Sequence, residues 1–369
     1  MDSSAIFAAR RNEVMNDFTV KLLDWYRENR RDLPWRHSKD PYRVWVSEIM
    51  LQQTRVAQGT DYYSRFLRRF PSLEALASAA EDEVLKYWQG LGYYARARNL
   101  HAAARSMKGV FPATYEGVRA LKGVGDYTAA AICSIAYGLP YAAVDGNACR
   151  LFSRYFGIEE PIDSLRGKRM IAALAQEMLD GKRPGMYNQA VMDFGSLQCV
   201  PASPDCPACI LGASCKAYAG GMVGRLPLKT KKTPVRPRFF SYLYIAKDGF
   251  AYIRKRTGDD IWKGLYELPL IETDVPLDME GLLRQPLLLR LGGRSPLSVS
   301  FAGSMKHVLS HQVLHIRFYE VVLPEDAEAA GVLQSFICVP EGQMEDYAFP
   351  KPLYQMLSER KKAASEMKI

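Results

Sequence analysis

Four of the seven cysteines in this 369-residue chain lie in one stretch, CVPASPDCPACILGASC, spaced Cys199-x6-Cys206-x2-Cys209-x5-Cys215. Thiols this close either hold a soft metal or act as redox groups. Only the middle pair has the Cys-x2-Cys knuckle that a zinc ribbon uses twice. Four thiolates in so short a loop suit an iron–sulfur cluster as well as a single zinc ion. Spacing alone leaves both open, with unliganded thiols a distant third. Two carboxyl groups stand out for a different chemistry. Glu48 sits in VWVSEIML, where six of eight residues are apolar, so its helix should be buried on nearly every side. Burial penalises a charged carboxylate and raises its pKa, so Glu48 is expected to keep a proton near neutral pH and to donate it. Pairing with an interior arginine is the competing reading. Asp145, in AAVDGNACR, precedes a helix and should cap its free N–H groups. The positive end of the helix dipole is expected to keep it ionised. A proton donor and an anion are together what cleavage of a glycosidic bond through an oxocarbenium-like state requires.

The elements that must place these groups fall into two regimes. From about residue 10 to 220 the apolar spacing is helical, punctuated by turn signals such as Gly90 and Gly92 in WQGLGYY. Within it LKGVGDYTAAAI (121–132) reads as two helices joined by a Gly123-x-Gly125 turn, whose free N–H groups suit a phosphate; a plain helical corner is the alternative. Residues 222–238 carry six basic residues, three prolines and no acid, and read as an extended basic linker. Beyond it the period changes to two: FFSYLYIAKDGFAYIRKR is a hairpin turning at Asp248-Gly249, and VLHIRFYEVVL places Leu314, Ile316 and Phe318 on one face. The expectation is an all-α domain over 1–221, a linker over 222–238 and an α+β domain over 239–369.

The surplus of 49 Lys+Arg over 40 Asp+Glu gives a net charge of +9 and suggests a polyanionic partner. No apolar run at the N-terminus suits a signal peptide, and none elsewhere suits a membrane span. The cytoplasm is therefore expected, where clustered thiols are metal ligands sooner than disulfides.

The cysteine spacing directly after a helical domain, together with the Gly-x-Gly hairpin, resembles the endonuclease III superfamily of helix–hairpin–helix DNA glycosylases. That resemblance implies a [4Fe–4S] cluster on Cys199, Cys206, Cys209 and Cys215. Relatives carry basic residues in the first gap, whereas VPASPD has none. Members that also cut the DNA backbone have a lysine where this chain has Tyr127. Tyrosine cannot form a Schiff base, so a monofunctional enzyme is implied. RRDLPWR (30–36) and SEIMLQQTRV (47–56) narrow the likeness to adenine DNA glycosylases of the MutY type. In that likeness Glu48 protonates adenine at N7 and Asp145 steadies the sugar cation, with Tyr127 and Asn147 beside them. Arg31, Trp35 and Gln189 surround the flipped adenine. Gln53, Thr54 and Tyr93 meet the duplex near the opposite base, and Gly123 and Gly125 meet phosphate. IWKGLYELP and HVLSHQVLHI are similar to the MutT-like (Nudix-like) C-terminal domain of the same family, with Ser310 and His311 at the 8-oxoguanine reader and Leu309 where many relatives have Phe. The implied partner is double-stranded DNA with 8-oxoguanine·adenine or guanine·adenine mispairs, bound by a monomer at the bacterial nucleoid.

Three rivals deserve comparison. A bifunctional glycosylase/lyase is opposed by Tyr127. A nucleotide-pyrophosphate hydrolase needs a run of glutamates on a helix for Mg²⁺, and LIETDVPLDMEGLLRQPLLLR lacks it. A non-catalytic zinc module would be colourless.

Overall fold

The computed structural model describes residues 17–54, 56–230, 234–292, 297–324 and 329–366. Residues 231–233 of the expected linker, and the first sixteen residues, lie outside these. The chain divides into two compact units, Met1–Ser78 with Asn99–Lys231, and Ala79–Arg98 with Lys232–Ile369. Among the described residues no helix is long and apolar enough to cross a membrane.

The first unit is all-α. It contains α1 (17–29), α2 (Pro41–Leu51), α3 (Val56–Arg69) and α4 (Leu73–Ser78). After α5 (Glu81–Trp88), which lies in the second unit, α6 (Ala95–Ser106) leads back into the first. There follow α7 (Tyr115–Arg119), α8 (Asp126–Tyr137), α9 (Gly146–Phe156), α10 (Leu165–Glu177), α11 (Pro184–Leu197) and α12 (Lys216–Ala219). In α1, Phe18, Leu22 and Tyr26 recur every four residues and are all buried in one cluster with Leu151, Tyr187 and Phe194. Each such side chain contributes about 1.5–3 kcal/mol on burial. Helix α2 has no solvent face over its last two turns, since every residue from Val44 to Met50 is buried. Asp40 starts it, accepting from Tyr42 N–H at 2.8 Å, with Pro41 at the first helical position.

Two glycines in α11 let helices approach closely. A Cβ on Gly185 would stand 2.7 Å from the Ser134 carbonyl oxygen in α8, and one on Gly195 would stand 2.6 Å from Asn147 Cβ in α9. Both contacts are too short for any real side chain, which fixes α11 as the axis against which α8 and α9 are positioned.

The second unit is α+β. Among the described residues its strands are β1 (Arg236–Lys247), β2 (Phe250–Lys255), β3 (Tyr266–Glu267), β4 (Leu270–Thr273), β5 (Ser298–Val308), β6 (Gln312–Val322) and β7 (Ile337–Pro340). The sheet runs β3-β2-β1-β6-β5, with β4 on β1 and β7 on β2. Asp248 and Gly249 turn the β1–β2 hairpin with φ of 54° and 79°, the signs the Asp-Gly pair suggests. Leu314, Ile316 and Phe318 lie in one core with Phe240, Tyr242 and Leu353. Helices α13 (Met279–Leu283) and α14 (Pro286–Gly292) bring Leu282, Leu288 and Leu291 to a second core with Leu243, Ile245 and Tyr319. Both fold classes read from the sequence are thus present.

The basic stretch is less loose than its composition suggests. Strand β1 already begins at Arg236, and Arg238 is buried between Asp260 and Glu272 at 2.7 and 2.6 Å. Upstream, Leu226 is buried, its carbonyl accepts from Arg154 at 3.0 Å, and Leu228 accepts from Ile162 N–H at 3.0 Å. The carboxylates that pair Arg238 lie 22 and 34 positions further on in sequence, so charge counting within the stretch misses them.

Substituting Gly195→Ala is expected to lower the denaturant midpoint by an amount equivalent to roughly 1–3 kcal/mol, as overpacking does, and to slow turnover by displacing Asn147. An unchanged midpoint would show that α9 and α11 yield more easily than their spacing implies.

Candidate active site

Glu48 faces a cavity of about 440 Å³ in the first unit, shared with Trp35, Tyr127, Asp145 and Gln189. That volume lies within the range of small-molecule pockets. The two carboxyls singled out from sequence therefore meet at one hollow, each delivered by a different helix.

Their settings differ. Burial pushes Glu48 up from 4.5 to about 7, opposed by a hydrogen bond from Tyr127, reinforced by the negative charge of Asp145, and opposed again by Arg36. Asp145 caps α9 as expected: its Oδ1 accepts from Ala148 N–H at 2.7 Å and its Oδ2 from the Asn147 side-chain amide at 2.8 Å. One part of the expectation needs correction. The helix terminus does not hold the Asp145 pKa down; burial outweighs the donors from Ala148 and Asn147 and moves it upward. Tyr127 is partly buried, with its hydroxyl 3.6 Å from Met192 Sδ, and desolvation moves its own titration far upward. It stays a neutral donor.

The arginine reading of the pocket also changes in detail. Arg31 lines the cavity, but its guanidinium grips Asp193 from Nε at 2.7 Å. Arg36 grips the same carboxylate from Nη1 at 2.6 Å and Nη2 at 2.8 Å. The Asp193 side chain is 0% exposed. Burial works to raise its pKa, yet the two arginines outweigh that and hold it low. Arg36 is thereby occupied a short distance from Glu48 without pairing to it. Neither Arg36 nor Asp193 was picked out from sequence. The signal was available, since Asp193 interrupts the apolar AVMDFGSL just as Glu48 interrupts its own helix. Gln189 accepts from Tyr26 Oη at 2.8 Å through its side-chain oxygen, which orients the amide on the cavity wall. Trp35 is buried edge-on against Tyr63 at 5.5 Å.

The other expected site residues are more widely spread. Gln53 lines the cavity rim with φ of 56°, and Tyr93 is half-exposed with φ of 48°. Such left-handed backbone in a residue with a side chain costs about 1–3 kcal/mol and concentrates at functional sites. Thr54 is not among the cavity-lining residues; its hydroxyl lies 3.4 Å from the Gln52 carbonyl oxygen. Gly123 has φ of 83°, and a Cβ there would stand 2.8 Å from Asn99 Cβ, so glycine is required. Gly125 begins α8 with nothing within 4 Å of its Cβ position, leaving that helix end open. In the second unit Tyr93 Oη and Ser310 Oγ are hydrogen-bonded at 3.1 Å. His311 is exposed at the β5–β6 turn, whereas Leu309 packs against the core of the unit.

The four cysteines line one small cavity with Arg154 and Tyr218. Among the described residues no three Cys, His, Asp or Glu side chains converge as one metal ion would need. N–H groups are nevertheless aimed at sulfur: Leu211 N–H at Cys209, Ala217 and Tyr218 N–H at Cys215, and the Arg154 guanidinium 3.5 Å from Cys199 Sγ. One turn back on α9, Arg150 donates to the Cys199 carbonyl at 2.8 Å and to Asn147 Oδ1 at 2.8 Å. A polar chain thus runs from the cysteine loop through Arg150 and Asn147 to Asp145.

Asp193→Asn leaves two arginines facing a neutral amide. It is expected to destabilise the chain by roughly 3 kcal/mol, read as a lowered unfolding midpoint. A loss below about 1 kcal/mol would mean that the pair is solvent-screened like an ordinary surface bridge.

Comparison with known proteins finds relatives for both units. Residues 46–178 match the HhH-GPD superfamily of base excision DNA repair proteins, and residues 241–359 match the NUDIX domain. The chain is 32% identical over 307 residues to the adenine DNA glycosylase of Buchnera aphidicola subsp. Baizongia pistaciae, covering 81% of this chain and 84% of that protein. It is 32% identical over 367 residues to the adenine DNA glycosylase of Mus musculus, covering 84% and 71%. The solved structure of a thermostable thymine-DNA glycosylase superposes with a TM-score of 0.54 at 29% identity, over 57% of this chain and 99% of that one. With a match to each of the two family models and kinship of this degree over more than two thirds of both relatives, the chain belongs to the adenine DNA glycosylase family, enzymes that hydrolyse N-glycosyl bonds in DNA.

Proposed function

We propose that this chain excises adenine from DNA, preferring adenine opposite 8-oxoguanine or guanine, and leaves the sugar–phosphate backbone intact. The observation that carries this reading is Glu48, a carboxyl poised near pH 7 by burial, sharing a nucleobase-sized hollow with Asp145. An adenine turned out of the duplex would enter the cavity against Trp35 and Gln189. Glu48 delivers its proton to N7, making the base a better leaving group. Asp145, oriented by Asn147 and the Ala148 N–H, lies close to the Glu48 carboxyl and steadies the cation left on the sugar. Tyr127 fixes the direction of the Glu48 carboxyl and offers no amine to the sugar. The open start of α8 at Gly125 suits a backbone phosphate. Gln53, Thr54 and Tyr93 would occupy the space vacated in the duplex, with Ser310 and His311 reading the partner base. Residues 1–221 act as the catalytic domain and 239–369 as the recognition domain of a monomer working at the nucleoid.

The cysteine loop is read as a [4Fe–4S] site because four thiols line one small cavity and N–H groups point at their sulfurs. Cys199, Cys206, Cys209 and Cys215 would hold it; a bound cluster supplies cross-linking of the loop. Purified chain should then be brown and contain iron and acid-labile sulfide in equal amounts. Colourless protein containing zinc would refute the assignment.

The decisive assay compares duplexes differing only in 8-oxoguanine or guanine opposite adenine. Free adenine and alkali-labile abasic sites are expected, faster with 8-oxoguanine. Strand breaks appearing without alkali at the rate of base release would refute a monofunctional reaction.

The pH dependence follows from Glu48. Its acid form is the active one, so single-turnover release should fall as pH rises through about 7. Tyr127→Phe removes a hydrogen bond that lowers the Glu48 pKa, so the alkaline limb should move to higher pH; a shift downward would contradict the assignment.

Stability carries the same signature. An ordinary carboxyl at 4.5 raised to about 7 means that the folded chain keeps a proton the unfolded chain gives up between those values. Stability should decline across that window, by roughly 3 kcal/mol in all. Glu48→Gln should therefore abolish release, retain DNA binding and raise the melting temperature above pH 7. A variant that melts lower than the parent there would show that Glu48 is a structural group.

A further inference from the structure

We infer that one end of the sheet in the second unit binds a phosphate-bearing nucleobase. Strand register places Phe239, His315 and Lys306 in a row across β1, β6 and β5, and Ser241, Arg317 and Ser304 in the next row on the same face. Farther along this face Leu243, Ile245 and Tyr319 are covered by leucines of α13 and α14. The cover stops before the two polar rows and leaves a cavity of about 470 Å³ walled by Pro276 and Leu277. None of its lining residues is acidic.

The basic residues of this notch differ in their pairing from those beside β1 and β2. Arg238, Arg254, Lys255 and Arg256 all pair with carboxylates. Among the described residues Lys306 and Arg317 pair with none. Arg317 is instead held by a hydrogen bond to the Leu277 carbonyl, which fixes its fork at the cavity wall. Beside it the rings of Phe239 and His315 are stacked at 5.0 Å and 21°, presenting a flat aromatic surface. A fixed guanidinium and an ammonium recognise phosphate, and a flat aromatic pair takes a base.

Two sources supply that chemistry, a free nucleotide or a nucleotide of bound DNA. Lys306 lies four residues before Ser310 on the same hairpin, roughly 13 Å along an extended strand. A nucleotide flanking the partner base is thus within reach. The DNA source rests on the DNA-binding reading above, whereas the free nucleotide does not.

Photocrosslinking of the full chain tests this, with 5-iododeoxyuridine monophosphate in one arm and an 8-oxoguanine·adenine duplex carrying 5-iododeoxyuridine beside the lesion in the other. Adducts mapped by mass spectrometry are expected on Phe239 or His315 and should fall at least tenfold in the Lys306→Gln/Arg317→Gln variant. Adducts from the duplex alone assign the notch to DNA, adducts from the mononucleotide alone assign it to a free nucleotide, and both sustain the shared chemistry. No adduct at either residue in either arm, or undiminished adducts in the variant, would overturn it. Ser304→Asp, which sets a carboxylate at an exposed edge of the notch, should give the same loss if the double variant fails to fold. Gel retention of the duplex, scored in parallel, separates failure of the notch from failure of DNA binding.

Discussion

Water is kept away from one carboxyl, and much of the first unit follows from that constraint. Helix α2 is buried over seven consecutive residues, so Glu48 has no route to solvent except the cavity it faces. Such a group normally acquires an ion-pair partner. Arg36 is near enough to depress its pKa and would be that partner, but Asp193 takes the Arg36 guanidinium in two hydrogen bonds and Arg31 as well. A second buried carboxylate thus spares the first from neutralisation by a salt bridge. The cost of desolvation at Glu48 is retained as proton affinity.

Helix α9 organises the opposite wall. Its cap is Asp145, its first turn carries Asn147, and the next turns carry Arg150 and Arg154. These four side chains form one polar seam from the cavity to the cysteine loop. The close approach of Gly195 to Asn147 sets the height of that seam against α11. Placement of the Asp145 carboxylate therefore depends, through Asn147 and Arg150, on a loop remote from it in sequence.

Local chemistry was legible in the sequence wherever the decisive physics was local. The apolar surroundings of Glu48, the capping role of Asp145, the Asp-Gly hairpin and the Gly-x-Gly turn all follow from a few neighbouring residues. Partnerships across the fold were not legible. Arg31 reads as a pocket group and does line the cavity, but the sequence does not show that Asp193, more than 150 positions away, holds its guanidinium together with that of Arg36. Arg236 and Arg238 look like linker charges until β1 pairs with β6 and Arg238 finds Asp260 and Glu272. The pKa of Asp145 moved the other way from the simple dipole argument because the enclosure of its carboxyl is a tertiary property.

Acid catalysis at this site requires a high proton affinity of a single side chain. Titration of the Glu48 carboxyl by carbon-detected NMR in selectively labelled protein, with Glu48→Gln used to assign the resonance, measures it without reference to turnover. A midpoint near pH 7 is expected. A midpoint close to 4.5 would mean that Glu48 is ionised under working conditions, has no proton to give, and is not the acid of this site.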